Sequence, residues 1–157
     1  MADPVLSIRN LCVEIPTRHG ILKPVDGVSY DIAKGEILGI VGESGAGKSM
    51  IGKAILGTLP GAIHITGGEI RLDGQDLLAL RPAERRRVIG QTAALIPQDP
   101  LTALNPVHRI GKQICEVLTQ HNDLSPDDAW EKAVEMLNKV GIPSPEIRAT
   151  EYPHQLS

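Results

Sequence analysis

Phenylalanine is absent from these 157 residues, and Tyr30, Tyr152 and Trp130 are the only aromatic side chains. A core with so few rings must be aliphatic. The same scarcity argues against nucleic-acid modules, which stack bases on aromatic platforms. A net charge of −3 and a pI near 5.9 offer no basic field for DNA or RNA either. The two cysteines, Cys12 and Cys115, lie far apart and form no Cys-x-x-Cys pair. That excludes a disulfide framework and predicts buried thiols in a reduced, cytoplasmic setting. Five histidines are scattered without metal-ligand spacing. No signal-peptide pattern or apolar run of membrane-spanning length occurs, so the chain is not expected to cross a bilayer itself. There is no internal repeat. What remains is a 41% apolar chain, long enough for one domain with a real core.

The chain is organised around Gly42-Glu43-Ser44-Gly45-Ala46-Gly47-Lys48-Ser49, which fits the phosphate-binding loop G-x-x-x-x-G-K-[ST]. Ile37, Leu38, Ile40 and Val41 precede it as a short apolar run, expected to form a strand buried on both faces. Met50, Ile51, Ala54, Ile55 and Leu56 follow with helical spacing, before Gly57 and Pro60. Glycines at 42, 45 and 47 permit backbone angles that turn successive N–H groups onto one anion. The helix adds the positive end of its dipole at the same point. In such a loop Lys48 reaches the β- and γ-phosphates and the Ser49 hydroxyl ligates Mg²⁺. Nucleotide binding is therefore expected.

Before the loop, Val5–Ile15 alternates as a strand, Pro16 and Arg18-His19-Gly20 break it, and a second strand runs near Val25–Ile32. Asp26-Gly27 is a candidate bulge, and Lys34-Gly35 a turn. After the loop, Asp73-Gly74 closes Glu69–Leu72 as a hairpin turn. Pro82 opens a short basic helix through Arg85, Arg86 and Arg87, whose arginines read better as a solvated face than as a phosphate patch. Ala93–Ile96 is expected to be another buried strand, which releases Pro97-Gln98-Asp99-Pro100 at its end. Spacing alone weighs Gln98 equally as a site residue and as part of a polar turn. Ile110, Ile114, Val117 and Leu118 then follow i, i+4, i+7, i+8. Ser125-Pro126-Asp127-Asp128 caps a second helix, with Trp130, Ala133, Val134, Leu137 and Val140 inward and Gly141 as its stop.

The phosphate loop, Pro97-Gln98-Asp99-Pro100, Leu104-Asn105-Pro106 and Tyr152-Pro153-His154-Gln155-Leu156-Ser157 agree in order and spacing. Together they resemble an ABC-transporter ATP-binding subunit, of the dipeptide/oligopeptide/nickel importer branch. The resemblance implies an α/β fold: a P-loop nucleotidase core with an antiparallel β subdomain and a partial helical subdomain. It places the nucleotide-binding core in residues 1–100 and the helical subdomain in 101–157. It implies Mg·ATP held by residues 42–49 and Met50, with Lys48 and Gln98 in catalytic roles. Gln98, as the Q-loop glutamine, would sense Mg²⁺ beside Ser49 and couple the site to the helical subdomain. An adenine-stacking position falls near His19, with Ile21 or Leu22 as alternative alignments. The implied partners are transmembrane permease subunits and a second ATP-binding subunit, with no nucleic acid, at the cytoplasmic face of the inner membrane.

Leu156-Ser157 resembles the opening of the family's LSGGQ-type signature, and neither the rest of that motif nor a Walker B Asp-Glu pair occurs in this sequence. Ile70-Arg71-Leu72-Asp73 is no substitute, because Gly74 stands where a catalytic Glu would be. His154 belongs to the lead-in to the signature and is not read as the switch histidine. Hydrolysis by this chain is therefore expected to be near background, and Ile37–Val41 is expected to have an unpaired edge. Two other readings remain. One is a nucleotide-binding or permease-packing chain without turnover. The other is a different P-loop enzyme, although the guanine-reading N-K-x-D fails at Gly141 and no Asp is followed three residues later by Gly.

Overall fold

A computed structural model describes residues 3–98 and 103–156, with the side chain of His121 excepted. The chain divides into two compact units, Met1–Leu95 and Ile96–Ser157.

In the first unit, strand β1 (Leu6–Thr17) pairs antiparallel with β2 (Gly20–Ile32) on one side. On its other side it pairs with β3 (His64–Leu72), and β4 (Gln75–Asp76) extends β3 by a short hairpin. The sheet order is β2-β1-β3-β4. Pro16 does not end β1: it stays in the ladder opposite Ile21, beyond the last β3 partner at Glu14. A proline is tolerated there because one side of the strand is already unpaired. Asp26-Gly27 forms the expected irregularity, where the register steps from Leu11↔Val28 to Val13↔Val25 and Gly27 takes φ 66°. Asp73 and Gly74 have φ 46° and 78°, both positive as a tight two-residue hairpin requires.

Helix α1 (Lys48–Leu56) and helix α2 (Pro82–Thr92) contribute to the core of this unit. Ile51, Ala54 and Ile89 join Ile8, Leu11, Val13, Val25 and Ile70 in one aliphatic cluster. Arg85 leaves the solvated face expected of its run: its Nη2 donates to the Ala54 carbonyl at 2.6 Å, at the C-terminal end of α1. Arg86 and Arg87 remain exposed.

Two expected strands are not formed. Ile37 is 97% and Val41 93% exposed, and residues 36–43 pair with no strand among the described residues. Leu95 and Ile96 are likewise exposed, with no ladder over 93–97. A strand buried on both faces needs neighbours on both edges and helices on both sides. The four strands present are committed to the antiparallel sheet and provide none.

The second unit is helical. It contains α3 (Ile110–His121), α4 (Pro126–Lys139) and α5 (Pro145–Thr150), then a 3₁₀ turn at Pro153–Gln155. Ser125 caps α4 by accepting from the Asp128 amide at 3.2 Å. Gly141, with φ 80°, ends it, and the Ile142 amide donates back to Leu137. Ile110, Leu118, Ala133 and Leu137 are buried as their spacing predicts, whereas Val117 and Val140 are exposed. Gly111 lets α3 approach its neighbours: a Cβ there would lie 2.6 Å from the Trp130 ring and 2.8 Å from the Ala149 carbonyl. The thiols of Cys12 and Cys115 are half-buried rather than buried, and unpaired.

Candidate functional site

The phosphate loop runs from irregular chain at Gly42-Glu43 through a turn at Ser44-Gly45 into α1. The Ala46 amide donates to the Glu43 carbonyl at 3.2 Å, which closes the turn. Gly45 and Gly47 take φ 83° and 82°, in the left-handed region that favours glycine. At Gly47 a second constraint applies, since a Cβ would lie 2.0 Å from the Pro24 carbonyl oxygen. The loop is therefore packed directly on the β2 backbone.

Among the described residues, nothing accepts from the amides of Gly45, Gly47, Lys48 or Ser49. The Met50 and Ile51 amides donate to Gly47, and no acidic residue stands in the first turn of α1. The positive end of the helix is thus uncompensated. Lys48 adds a full charge. Its Nζ donates to the carbonyls of Gly42 at 2.8 Å and Glu43 at 2.7 Å, so the ammonium lies back across the start of the loop. Free amides, a helix N-terminus and an ammonium together form a cradle that fits a phosphate chain. The exposed Ser49 hydroxyl supplies one hard oxygen, which suits Mg²⁺ held mostly by phosphates and water. No cluster of three His, Cys, Asp or Glu residues forms a metal site of its own among the described residues.

A cavity of about 230 Å³ opens beside the loop, lined by residues 45–50 together with Ile15, Leu22 and Pro24. His19 is not in that lining. It sits in the turn between β1 and β2, where its amide donates to Thr17 Oγ1 at 3.2 Å. Of the three alignments for a base-contacting residue, only Leu22 lines the cavity. Ile15 and Pro24 carry no motif, and the one sign of them in the sequence is their place near the hairpin end. Gln98 is exposed in a bend of the second unit. Asp99 and Pro100, which complete its motif, lie outside the described residues, as does Ser157.

Leu104-Asn105-Pro106 lies in a loop pinned by Gln113. That side chain accepts from the Asn105 amide at 2.8 Å and donates to the carbonyls of Asn105 and His108. At the other end of the unit, the Tyr152 amide donates to Gln155 Oε1 at 2.9 Å, and the Tyr152 and His154 rings stack 5.8 Å apart.

A glycine-rich loop that opens a helix and packs on an antiparallel hairpin is the arrangement of a phosphate-binding loop. The ABC transporter family model matches residues 25–157, and the chain belongs to that family. It is 42% identical over 99% of its length to the dipeptide transport ATP-binding protein DppD of Lactococcus lactis subsp. cremoris, covering 45% of that protein. Identity is also 42% with the oligopeptide transport ATP-binding protein OppD of Bacillus subtilis, over 98% of this chain and 43% of that protein. The chain thus spans a little under half the length of these curated relatives. Among solved structures, the ATP-binding cassette MJ0796, in a dimeric post-hydrolysis state with ADP and Pi, matches with a TM-score of 0.83 and 23% identity. That match covers 97% of this chain and 63% of the cassette, and it establishes the fold. No helix of the described residues is long and apolar enough to cross a membrane.

Proposed function

We propose that this chain is the nucleotide-binding part of an ATP-binding, energy-coupling subunit of an ABC importer for dipeptides or oligopeptides. The observation that carries the proposal is the cradle: four free amides at residues 45, 47, 48 and 49, with the Lys48 ammonium at the same loop. Within residues 42–50, the free amides of Gly45, Gly47, Lys48 and Ser49 would hold the phosphates of ATP, and Lys48 would neutralise the terminal groups. Ser49 would hold Mg²⁺ through its hydroxyl, and Gln98, in the second unit, keeps the Q-loop role that the family resemblance implies. Mg²⁺, when bound, would supply charge neutralisation to the phosphates. The peptide substrate class rests on the names of the relatives. In the full subunit the partners are permease subunits and a second ATP-binding subunit, at the cytoplasmic face of the membrane. Further strands there would flank Ile37–Val41.

Binding and turnover separate in this account. The sequence contains no Asp-Glu pair to orient a water, so hydrolysis by this chain stays near background. Thermal unfolding in increasing Mg·ATP tests the binding half. A ligand that binds the folded state alone raises the melting temperature with concentration. The rise is expected to require Mg²⁺, to shrink in Ser49→Ala and to vanish in Lys48→Ala. An unchanged melting temperature at millimolar Mg·ATP would refute the proposal. A turnover that survives purification and disappears in Lys48→Ala would refute the hydrolysis half.

A further inference from the structure

A cavity of about 370 Å³ lies in the first unit, at the end of α1 remote from the phosphate loop. Its walls include Leu59, Ile63, Ile65 and Leu78, half-buried side chains that pack against the aliphatic core. Into this apolar setting Arg85 reaches from α2. Its Nη2 donates to the Ala54 carbonyl, and the guanidinium packs on Gly57, where a Cβ would lie 3.3 Å from Cζ and Nε. Those contacts hold the group at the cavity. They give it no counter-charge. Among the described residues no carboxylate lies within salt-bridge distance of Arg85, and the adjacent Glu84 is engaged by Arg81. The cavity lining contains no acid either, His64 being its only other ionisable residue. Nε is buried without an acceptor, and Nη1 donates to nothing among the described residues. Burial accordingly lowers the affinity of the guanidinium for its proton, with no nearby charge to offset it.

We propose that this cavity binds an aliphatic carboxylate, its head on the Arg85 guanidinium and its chain along Leu59, Ile63, Ile65 and Leu78. The site is separate from the phosphate loop and does not depend on the nucleotide reading. A charged side chain drawn out of water is ordinarily paired, so an unpaired one at a cavity favours an anion there. The guanidinium fork matches a carboxylate in shape and charge. The carbonyl end of α1 opposes an anion with about half a charge, which Arg85 and Lys53, in the last turn, together outweigh. Apolar walls select a ligand with an aliphatic body over a compact hydrated ion such as phosphate. The volume falls within the range of about 300–1,000 Å³ usual for small-molecule sites.

Calorimetric titration of the chain with octanoate tests the proposal, with butanoate, octanol and inorganic phosphate as comparison ligands. Octanoate is expected to saturate one site per chain. Butanoate should bind about tenfold or more weakly, because it buries fewer methylenes. Octanol, which keeps the chain and loses the charge, should also bind about tenfold or more weakly. Arg85→Ala is expected to reduce octanoate affinity by about tenfold or more, and Arg85→Lys, which keeps the charge but not the fork, by about three- to tenfold. In the unsubstituted chain, octanoate should shift the amide resonances of Gly57, Ile63, Ile65 and Leu78, a readout independent of whether Arg85→Ala folds. Shifts confined to the exposed Ile37 and Val41 would overturn the proposal, as would octanol or phosphate binding as tightly as octanoate. Octanoate affinity unchanged in a folded Arg85→Ala would overturn it too. So would affinity lost in Lys48→Ala, which would put the carboxylate on the phosphate loop, or no saturable octanoate binding at millimolar concentration.

Discussion

Two glycines show how strictly the backbone is constrained. Gly47 combines φ 82° with a carbonyl oxygen 2.0 Å from where a Cβ would stand. Gly47→Ala is therefore expected to destabilise the first unit by about 2–4 kcal/mol, the sum of left-handed strain and forced separation of loop and strand. Urea unfolding followed by circular dichroism measures it, and a change below about 0.5 kcal/mol would show that the loop relaxes freely away from Pro24. Gly111 has an ordinary backbone and a crowded surrounding: the Trp130 ring and the Ala149 carbonyl meet its missing side chain. Gly111→Ala is expected to cost about 1–3 kcal/mol by overpacking. Because Trp130 is the only tryptophan, its fluorescence reports the displacement directly, and an unshifted emission spectrum would argue against the contact. The role of Gly47 was legible in the sequence as part of a motif. That of Gly111 was not, because crowding by residues 19 and 38 positions away leaves no local pattern.

At the scale of elements, α1 to α4 and the turns were legible, whereas α5 was not anticipated and two expected strands did not form. The Ser125 cap, the Gly141 stop and the Asp73-Gly74 turn are settled by local backbone chemistry, which a few adjacent residues encode completely. Ser125→Ala should lower the stability of the helical unit by about 1 kcal/mol, read from its unfolding midpoint. Ile37–Val41 and Ala93–Ile96 have strand-like composition, but a strand forms only where another strand stands beside it, and composition does not reveal that. Arg85 is a further case. The sequence offered an arginine run with a solvated reading, whereas the fold brings one member to the carbonyl end of the phosphate-loop helix. Its Nε is buried without a hydrogen-bond partner among the described residues, and burial lowers the affinity of the guanidinium for its proton. Arg85→Ala is expected to destabilise the first unit by about 1–2 kcal/mol through loss of its hydrogen bond to the Ala54 carbonyl, which keeps only the Gly57 amide. Arg86→Ala, on the exposed neighbour, should change it by less than about 0.5 kcal/mol. Equal effects of the two would show that the Arg85 contact contributes nothing.

The molecule as a whole combines a well-packed sheet unit and a helical unit with apolar chain left open to water. Ile37, Val41 and Ile96 are each more than 90% exposed. Unpaired apolar segments recruit partners, so self-association that rises with protein concentration is expected, with a melting temperature that follows it. A monomer with a concentration-independent melting temperature would contradict this. The proposed phosphate cradle, by contrast, draws on residues 42–50 and on their packing against Pro24. The central question is whether this loop binds nucleotide in the chain as it stands. Titration calorimetry of the chain with Mg·ATP, beside Lys48→Ala, decides it. Saturable binding near one site per chain, lost in the variant, is the predicted result; no heat of binding in the unsubstituted chain, or binding that survives loss of the Lys48 ammonium, would contradict it.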